Sequence, residues 1–506
     1  MKKILFLAWI LVSVLGVSLA QNKEKQAESA PVPGGEISTT RHSVKINGVA
    51  IAYTASAGTM QLRDEENKPI ALFGFTGYVR DGNSDLSRRP IVFAYNGGPG
   101  SSSIWLHMGA LGPKRVVVND AGFTPGAPYR IESNGFSLLD IADLVMIDPV
   151  GTGLSVPVGE AKFADFWGVD QDIRTVSLFV KQYLVENKRL NSPKYLLGES
   201  YGTFRSAGIM DYLQESGIAM NGVILVSAVL DLNSLTFSSG HDLSYLLFFP
   251  TYAAAAWYYD KVPDKPADLT EFLARARSFA RNEYGPALFK GDQLADAERE
   301  TVAKKLASFT GLAAAYWLKA NLRVKEPEFS QELLRAEGQT VGRLDARFHG
   351  INQDLLSQFS EYDPQSAAIS PAFTTACLTY LYDDLKINRK LNYHVDAYVR
   401  KDFKWDWTHQ GNLFWGAWAA INTGVDMARA MSRNPNVKVL ILNGYYDIAT
   451  PFYGVEYSID HLGLRKEIKS NIIMKYYEAG HMMYTHLPSL EKFKKDVGEF
   501  ILATSK

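Results

Sequence analysis

The feature that most constrains this 506-residue chain is an alternation of short apolar runs with longer amphipathic ones. Residues 90–95 (PIVFAY), 144–147 (LVMI), 194–198 (KYLLG) and 222–229 (GVILVSAV) are short and almost wholly apolar. Between the second and third lies 170–187, where Ile173, Val176, Val180, Tyr183 and Leu184 share one helical face. A further helix is expected at about 202–215, between the third and fourth runs. Strands apolar on both faces, joined by crossover helices, predict a mainly parallel sheet covered by helices.

Upstream of this pattern, Asn47-Gly48 marks a hairpin turn, and 58–64 and 69–79 continue an antiparallel edge. From about 240 to 380 the texture changes to Ala-, Leu- and Tyr-rich helical stretches. Strand patterning then returns at 437–447 (VKVLILNGYYD) and 470–482 (SNIIMKYYEAGHM), followed by a closing amphipathic helix. That return predicts that the helical stretch interrupts one fold.

The N-terminus reads as a targeting segment. Lys2-Lys3 precede an apolar run from Ile4 to Val17, and Ser18 and Ala20 supply the small residues before a cleavage site after Ala20. The run is shorter than the ~20 apolar residues of a spanning helix. Cys377 is the chain's one cysteine, so no intrachain disulfide forms, which suits a bacterial periplasmic or secreted protein. Residues 21–40 are polar and rich in Pro and Gly, and read as a flexible leader. A formal net charge of -1, with no basic stripe, gives nucleic-acid binding no electrostatic support.

The chemistry centres on Gly198-Glu199-Ser200-Tyr201-Gly202, a G-x-S-x-G pattern placed after a strand and before a helix. A nucleophilic serine there occupies a strained turn that needs small neighbours. Its base is expected at His481, which follows a late strand, with His486 as local competitor. Asp447 ends another strand and is the candidate to orient the histidine, and Asp231 is the weaker alternative. The order Ser200, Asp447, His481 is that of an α/β-hydrolase. The predicted architecture is therefore an α/β-hydrolase fold with helices on both faces of a mostly parallel sheet and a helical cap insertion. Its expected organisation is a signal peptide at 1–20, leader at 21–40, core at 41–239, cap at 240–380 and core again at 381–506. The Asn96-Gly97-Gly98-Pro99-Gly100 loop after a strand offers Gly98 as one oxyanion donor, and Tyr201 offers the amide after the nucleophile. No metal or other cofactor is expected, since His481 and His486 lack a third ligand and the chemistry needs none.

Four separated blocks give the chain a resemblance to the serine carboxypeptidases of peptidase family S10. They are Asn96 to Ser102 (NGGPGSS), Asp148 to Ser155 (DPVGTGLS), Gly198 to Gly202 (GESYG) and Ala479 to Met482 (AGHM), and Thr76-Gly77-Tyr78 adds an early likeness. The resemblance spans roughly 75 to 490 and implies removal of single residues from a peptide's C-terminus. It implies a Ser200, Asp447, His481 triad acting through an acyl-enzyme, with Gly98 and Tyr201 as oxyanion hole. Asn96 and Glu199 resemble the residues that bind the substrate's terminal carboxylate. For Glu199 to do this, either it or the substrate's terminal carboxylate must carry a proton.

The chain departs from the family pattern at four places. Ala110 stands where a Glu usually pairs with the counterpart of Glu199, and Ser101 replaces a cysteine. Tyr445 replaces an acidic residue near the triad aspartate, and Met483-Tyr484 replaces an apolar-Pro pair after His-Met. The loss at 110 predicts activity shifted toward neutral pH. Arg205 is the nearest basic residue that could help hold the carboxylate, against a helix-face arginine paired elsewhere. The competing functions are an aminopeptidase or esterase using the same triad, and a non-enzymatic exported binding protein.

Overall fold

The computed structural model describes residues 32–409 and 421–505. The expected signal peptide and the leader up to residue 31 lie outside the described residues.

The central sheet is built from β1 (Ile37–Ile46), β2 (Val49–Arg63), β3 (Pro69–Arg80), β4 (Ile91–Tyr95), β5 (Asp143–Asp148), β6 (Lys194–Glu199), β7 (Gly222–Val226), β8 (Lys438–Gly444) and β9 (Ile472–Tyr477). Their spatial order is β1-β2-β3-β5-β4-β6-β7-β8-β9, with the short strand Val156–Pro157 paired to β3. β1, β2, β3 and β5 run antiparallel to their neighbours in turn. From β5 through β4 to β9 every pairing is parallel.

The turn between β1 and β2 is Asn47-Gly48, both at positive φ (49° and 81°), as a tight hairpin turn requires. β1 begins at Ile37, inside the stretch expected to be a flexible leader, and pairs Ile37 with Gly58. Ile37, Thr39 and Thr40 are β-branched and suit a strand, a signal hidden by the Pro and Gly residues just before them.

Period-two alternation sorts the buried strands into two cores. Val92, Ala94, Leu144, Met146, Leu197, Ile224, Leu440 and Leu442 face one side. Phe93, Val145, Ile147, Leu196, Val223, Leu225, Val439 and Ile441 face the other. Helices α1 (Val169–Glu186) and α2 (Tyr201–Glu215) cover the second side, and the C-terminal helix Leu487–Thr504 covers the first. The apolar strands are thus buried on both faces, as their composition predicts.

Between β7 and β8 the chain forms helices at Leu243–Tyr258, Leu269–Phe279 and Asp296–Thr310, which share a third core with Tyr445, Tyr446 and Phe452 beyond β8. The helix Pro364–Thr379 falls within the expected cap but packs elsewhere. Its Ala368, Ile369, Ala372 and Phe373 join the first sheet core. A small antiparallel pair, Gln339–Val341 with His349–Ile351, also interrupts the helical stretch. No helix among the described residues is long and apolar enough to cross a membrane.

Candidate active site

The candidates for triad, oxyanion hole and carboxylate binding sit at or just beyond the carboxyl ends of parallel strands, where ligands bind in open α/β sheets. β6 ends at Glu199 and α2 begins at Tyr201, leaving Ser200 alone to make the turn. Its φ of 60° and ψ of -130° lie in a region that L side chains avoid, at a cost of order 1–3 kcal/mol. The Ser200 amide donates to Val226 O at 3.0 Å and pins the turn to β7. A Cβ at Gly198 would lie 2.1 Å from Gly202 O, so the turn closes because that side chain is absent.

His481 and Asp447 meet directly. His481 Nδ1 lies 2.8 Å from Asp447 Oδ2, and both side chains are buried. Asp447 Oδ1 accepts from the Ala449 and Thr450 amides, at 2.8 and 2.9 Å. Thr450 Oγ1 donates to Asp447 Oδ2 at 2.7 Å and lies 3.2 Å from His481 Nδ1. Burial disfavours the imidazolium, but the charge and hydrogen bond of Asp447 outweigh it and raise the His481 pKa above 6.5. Glu199 adds to the rise and Arg343 opposes it.

A segment that sequence reasoning missed holds these two loops together. Residues 343–348 thread between them: Ile448 N donates to Arg343 O at 3.0 Å, Ala346 N to Tyr446 O at 2.9 Å, and His481 N to Leu344 O at 2.6 Å. Asp345 accepts from Gly480 N at 3.0 Å and from Arg347 Nη2 at 2.7 Å. The sequence signal was present, in the charged Arg343, Asp345 and Arg347 following Gly342, but the partners lie about a hundred residues away.

The glycine loop completes the opposite wall. A Cβ at Gly97 would come within 2.4 Å of Tyr201 N and 2.8 Å of Glu199 O, so this loop lies directly against the start of α2. The first amides of a helix have no acceptor within it, which suits Tyr201 N to receive developing negative charge. Asn96 Nδ2 donates to Glu199 Oε1 at 3.0 Å, and Asn96 Oδ1 accepts from Leu106 N at 3.0 Å. Burial pushes the Glu199 pKa up to about 7, against the lowering pull of His481, Tyr484 and Asn96.

Ala110 is buried, and its neighbour Gly109 lies against Tyr484, whose ring carbons would stand 2.4 Å from a Cβ added at Gly109. Tyr484 Oη and Glu199 Oε2 are both buried without a well-formed hydrogen bond among the described residues. The phenol still lies near enough to Glu199 to act on its ionisation. Arg205 does not reach this site. It is fully buried, with Nε donating to Asp172 at 2.6 Å and Nη1 to Asn96 O at 2.7 Å, and so braces the Asn96 backbone from behind.

One cavity of about 440 Å³ is lined by Asn96, Gly98, Glu199, Ser200, Tyr201 and His481. The structure therefore brings together Ser200, His481, both candidate oxyanion residues and both candidate carboxylate-binding residues, with Asp447 behind the histidine. The alternatives lie elsewhere in role. Asp231 caps a short helix through Asn233 N at 2.9 Å, and His486 bonds Ser489 Oγ at 2.8 Å. No cluster of three or more metal-ligating side chains occurs among the described residues.

Comparison with known proteins follows the same lines. Residues 57–238 match the sequence profile of the serine carboxypeptidase family. No curated protein sequence matches the chain. Among solved structures, the prohormone-processing carboxypeptidase Kex1ΔP of Saccharomyces cerevisiae is similar over 88% of this chain and 91% of its own, with 16% identity and a TM-score of 0.54. That likeness carries the α/β-hydrolase fold. The proline iminopeptidase of Mycobacterium smegmatis aligns over 92% of this chain and 99% of its own, at 14% identity and a TM-score of 0.32.

Proposed function

We infer, for a chain whose residues 57–238 match the serine carboxypeptidase family, that it removes single residues from the C-termini of peptides through an acyl-enzyme. The observation that carries this reading is the sharing of one cavity by Ser200, His481 and the Asn96–Glu199 pair. A triad alone suits any acyl hydrolase. A buried carboxyl beside it, with a pKa near 7, suits a substrate that brings a carboxylate of its own.

In the proposed sequence of events Ser200 Oγ attacks the terminal peptide carbonyl as His481 takes its proton, with Asp447 holding the imidazole through Nδ1. The Gly98 and Tyr201 amides receive the oxyanion. His481 returns the proton to the departing amine, and water then releases the shortened peptide by the same steps in reverse order of roles. Protonated Glu199 and the Asn96 amide hold the free C-terminus of the substrate. The helical stretch at 240–380 serves as cap, and Arg343 and Leu344 from it line the cavity.

Export by a bacterial host is part of the proposal. Lys2-Lys3, the apolar run Ile4 to Val17 and the small residues Ser18 and Ala20 support it, as does the single cysteine. N-terminal sequencing of protein from the culture fluid or periplasm is expected to begin at Gln21, and a sequence beginning at Met1 would contradict it.

The function is tested by comparing blocked dipeptides having a free C-terminus with their C-terminal amides and simple esters. Preference for the free acid by kcat/KM supports the carboxypeptidase. Equal or better turnover of the amide or ester indicates another hydrolase on the same triad.

A further inference from the structure

Arg343 stands apart from the other charged groups of the active-site cavity. It is the one lysine or arginine among the described lining residues. Its backbone is fixed on both sides: its amide donates to Asp363 Oδ2 at 2.7 Å, and its carbonyl accepts from Ile448 N at 3.0 Å. Its side chain is 53% exposed, and its ion pair is a loose 3.9 Å contact with Glu326. Burial pushes the Glu326 pKa up to about 7, so near neutrality that partner is charged only part of the time.

The other acids nearby are engaged or neutral. Asp363 lines the cavity, but its oxygens accept from the amides of Arg343, Leu344 and Ser366. Glu199 holds its proton below about pH 7. A guanidinium is always charged and offers a planar fork of donors matched to a carboxylate. The cavity thus presents a rooted cation, next to the His481 loop, with donors left for a ligand.

We propose that Arg343 is a specificity-determining residue that recognises a carboxylate-bearing side chain at one of the two substrate residues flanking the scissile bond. The chemical class is a peptide ending in, or having as its penultimate residue, aspartate or glutamate. This rests on the carboxypeptidase reading. Arg343 does not touch the reacting atoms in that account, and its contribution is to substrate choice.

The test uses blocked dipeptides with free C-termini, carrying Glu or Gln at the last or the penultimate position, with the other residue kept apolar. For each enzyme the Glu-to-Gln ratio of kcat/KM is taken at one pH, so any change in His481 basicity on removing Arg343 cancels. The unaltered protein is expected to prefer Glu at one of the two positions by about fivefold, the size of one partly screened ion pair. Arg343→Met should bring that ratio to within about twofold, and Arg343→Lys should restore part of it. Labelling of Ser200 by a fluorophosphonate verifies that each variant is folded.

A ratio near one at both positions in the unaltered protein overturns the proposal, as does a ratio that survives in Arg343→Met. Equal loss on all free-acid peptides in Arg343→Met also overturns it, because Arg343 would then hold the terminal carboxylate. If amides and esters are cleaved but no free-acid peptide is, the carboxypeptidase reading itself falls and takes this proposal with it.

Discussion

Asp447 Oδ2 lies 2.8 Å from His481 Nδ1, and the other Asp447 oxygen is held by two backbone amides in the turn that follows β8. Orientation of the histidine is therefore set by a carboxylate that cannot itself rotate away. Replacing Asp447 by Asn keeps the shape but offers an amide where the ring needs an acceptor. Asp447→Asn should lower kcat about 10⁴-fold with little change in KM, by steady-state kinetics on a free-acid peptide. A fall of less than tenfold would remove Asp447 from the triad.

The two groups that set the pH profile pull in opposite directions. His481 works as a base only when neutral, and its raised pKa places the acid limb above pH 6.5. Glu199 must be protonated to face a substrate carboxylate, and its pKa of about 7 places the alkaline limb there. As pH rises through that value KM should climb for free-acid peptides but not for their amides or esters. Glu199→Gln should abolish that climb, and by removing a charge that raises His481 it should move the acid limb to lower pH. A profile peaking at about pH 4 to 5, typical of carboxyl pairs that share a proton, would contradict this account.

The carboxyl ends of the strands and the G-x-S-x-G turn were readable from sequence because each depends on a local pattern. Ser200 needs glycines two residues away on either side, and the buried strands need only their own composition. Asp345, Thr450 and Tyr484 were not readable as parts of the site. Asp345 acts through Gly480 and Arg347, and only the folded chain brings its segment between the loops of Asp447 and His481. The helix Pro364–Thr379 sets its apolar face only against serines and threonines, and its sequence could not say whether that face met the cap or the sheet. Tyr484 packs against Gly109, the residue next to the departure at 110, a closeness that only the folded chain shows.

The Asp345–Arg347 pair is buried, and breaking it leaves Arg347 with only Asp120 as carboxylate partner among the described residues. Asp345→Ala should destabilise the fold by about 3–5 kcal/mol in urea unfolding. Asp345→Asn also removes the charge but retains an oxygen for Gly480 N, and should cost about 1 kcal/mol less. Equal effects of the two substitutions would indicate that the bond to Gly480 is not what Asp345 contributes.

Gly97 is required by the closeness of the loop to α2. In Gly97→Ala the new methyl meets Tyr201 N at 2.4 Å, so either the loop or the helix start must move. Displacement of one oxyanion donor should lower kcat about 10²–10³-fold while Ser200 and His481 stay in place. Unchanged kcat in a folded variant would place the oxyanion site elsewhere.

The central claim is that Ser200 cuts peptides from the C-terminus, one residue at a time. Timed mass spectrometry of a few unlabelled peptides, incubated with the unaltered protein and with Ser200→Ala, reads reaction and direction together. The account predicts a ladder of C-terminal losses that is slowed roughly 10⁵–10⁶-fold in the variant. Losses from the N-terminus, internal cuts, or a C-terminal ladder undiminished in Ser200→Ala would contradict it.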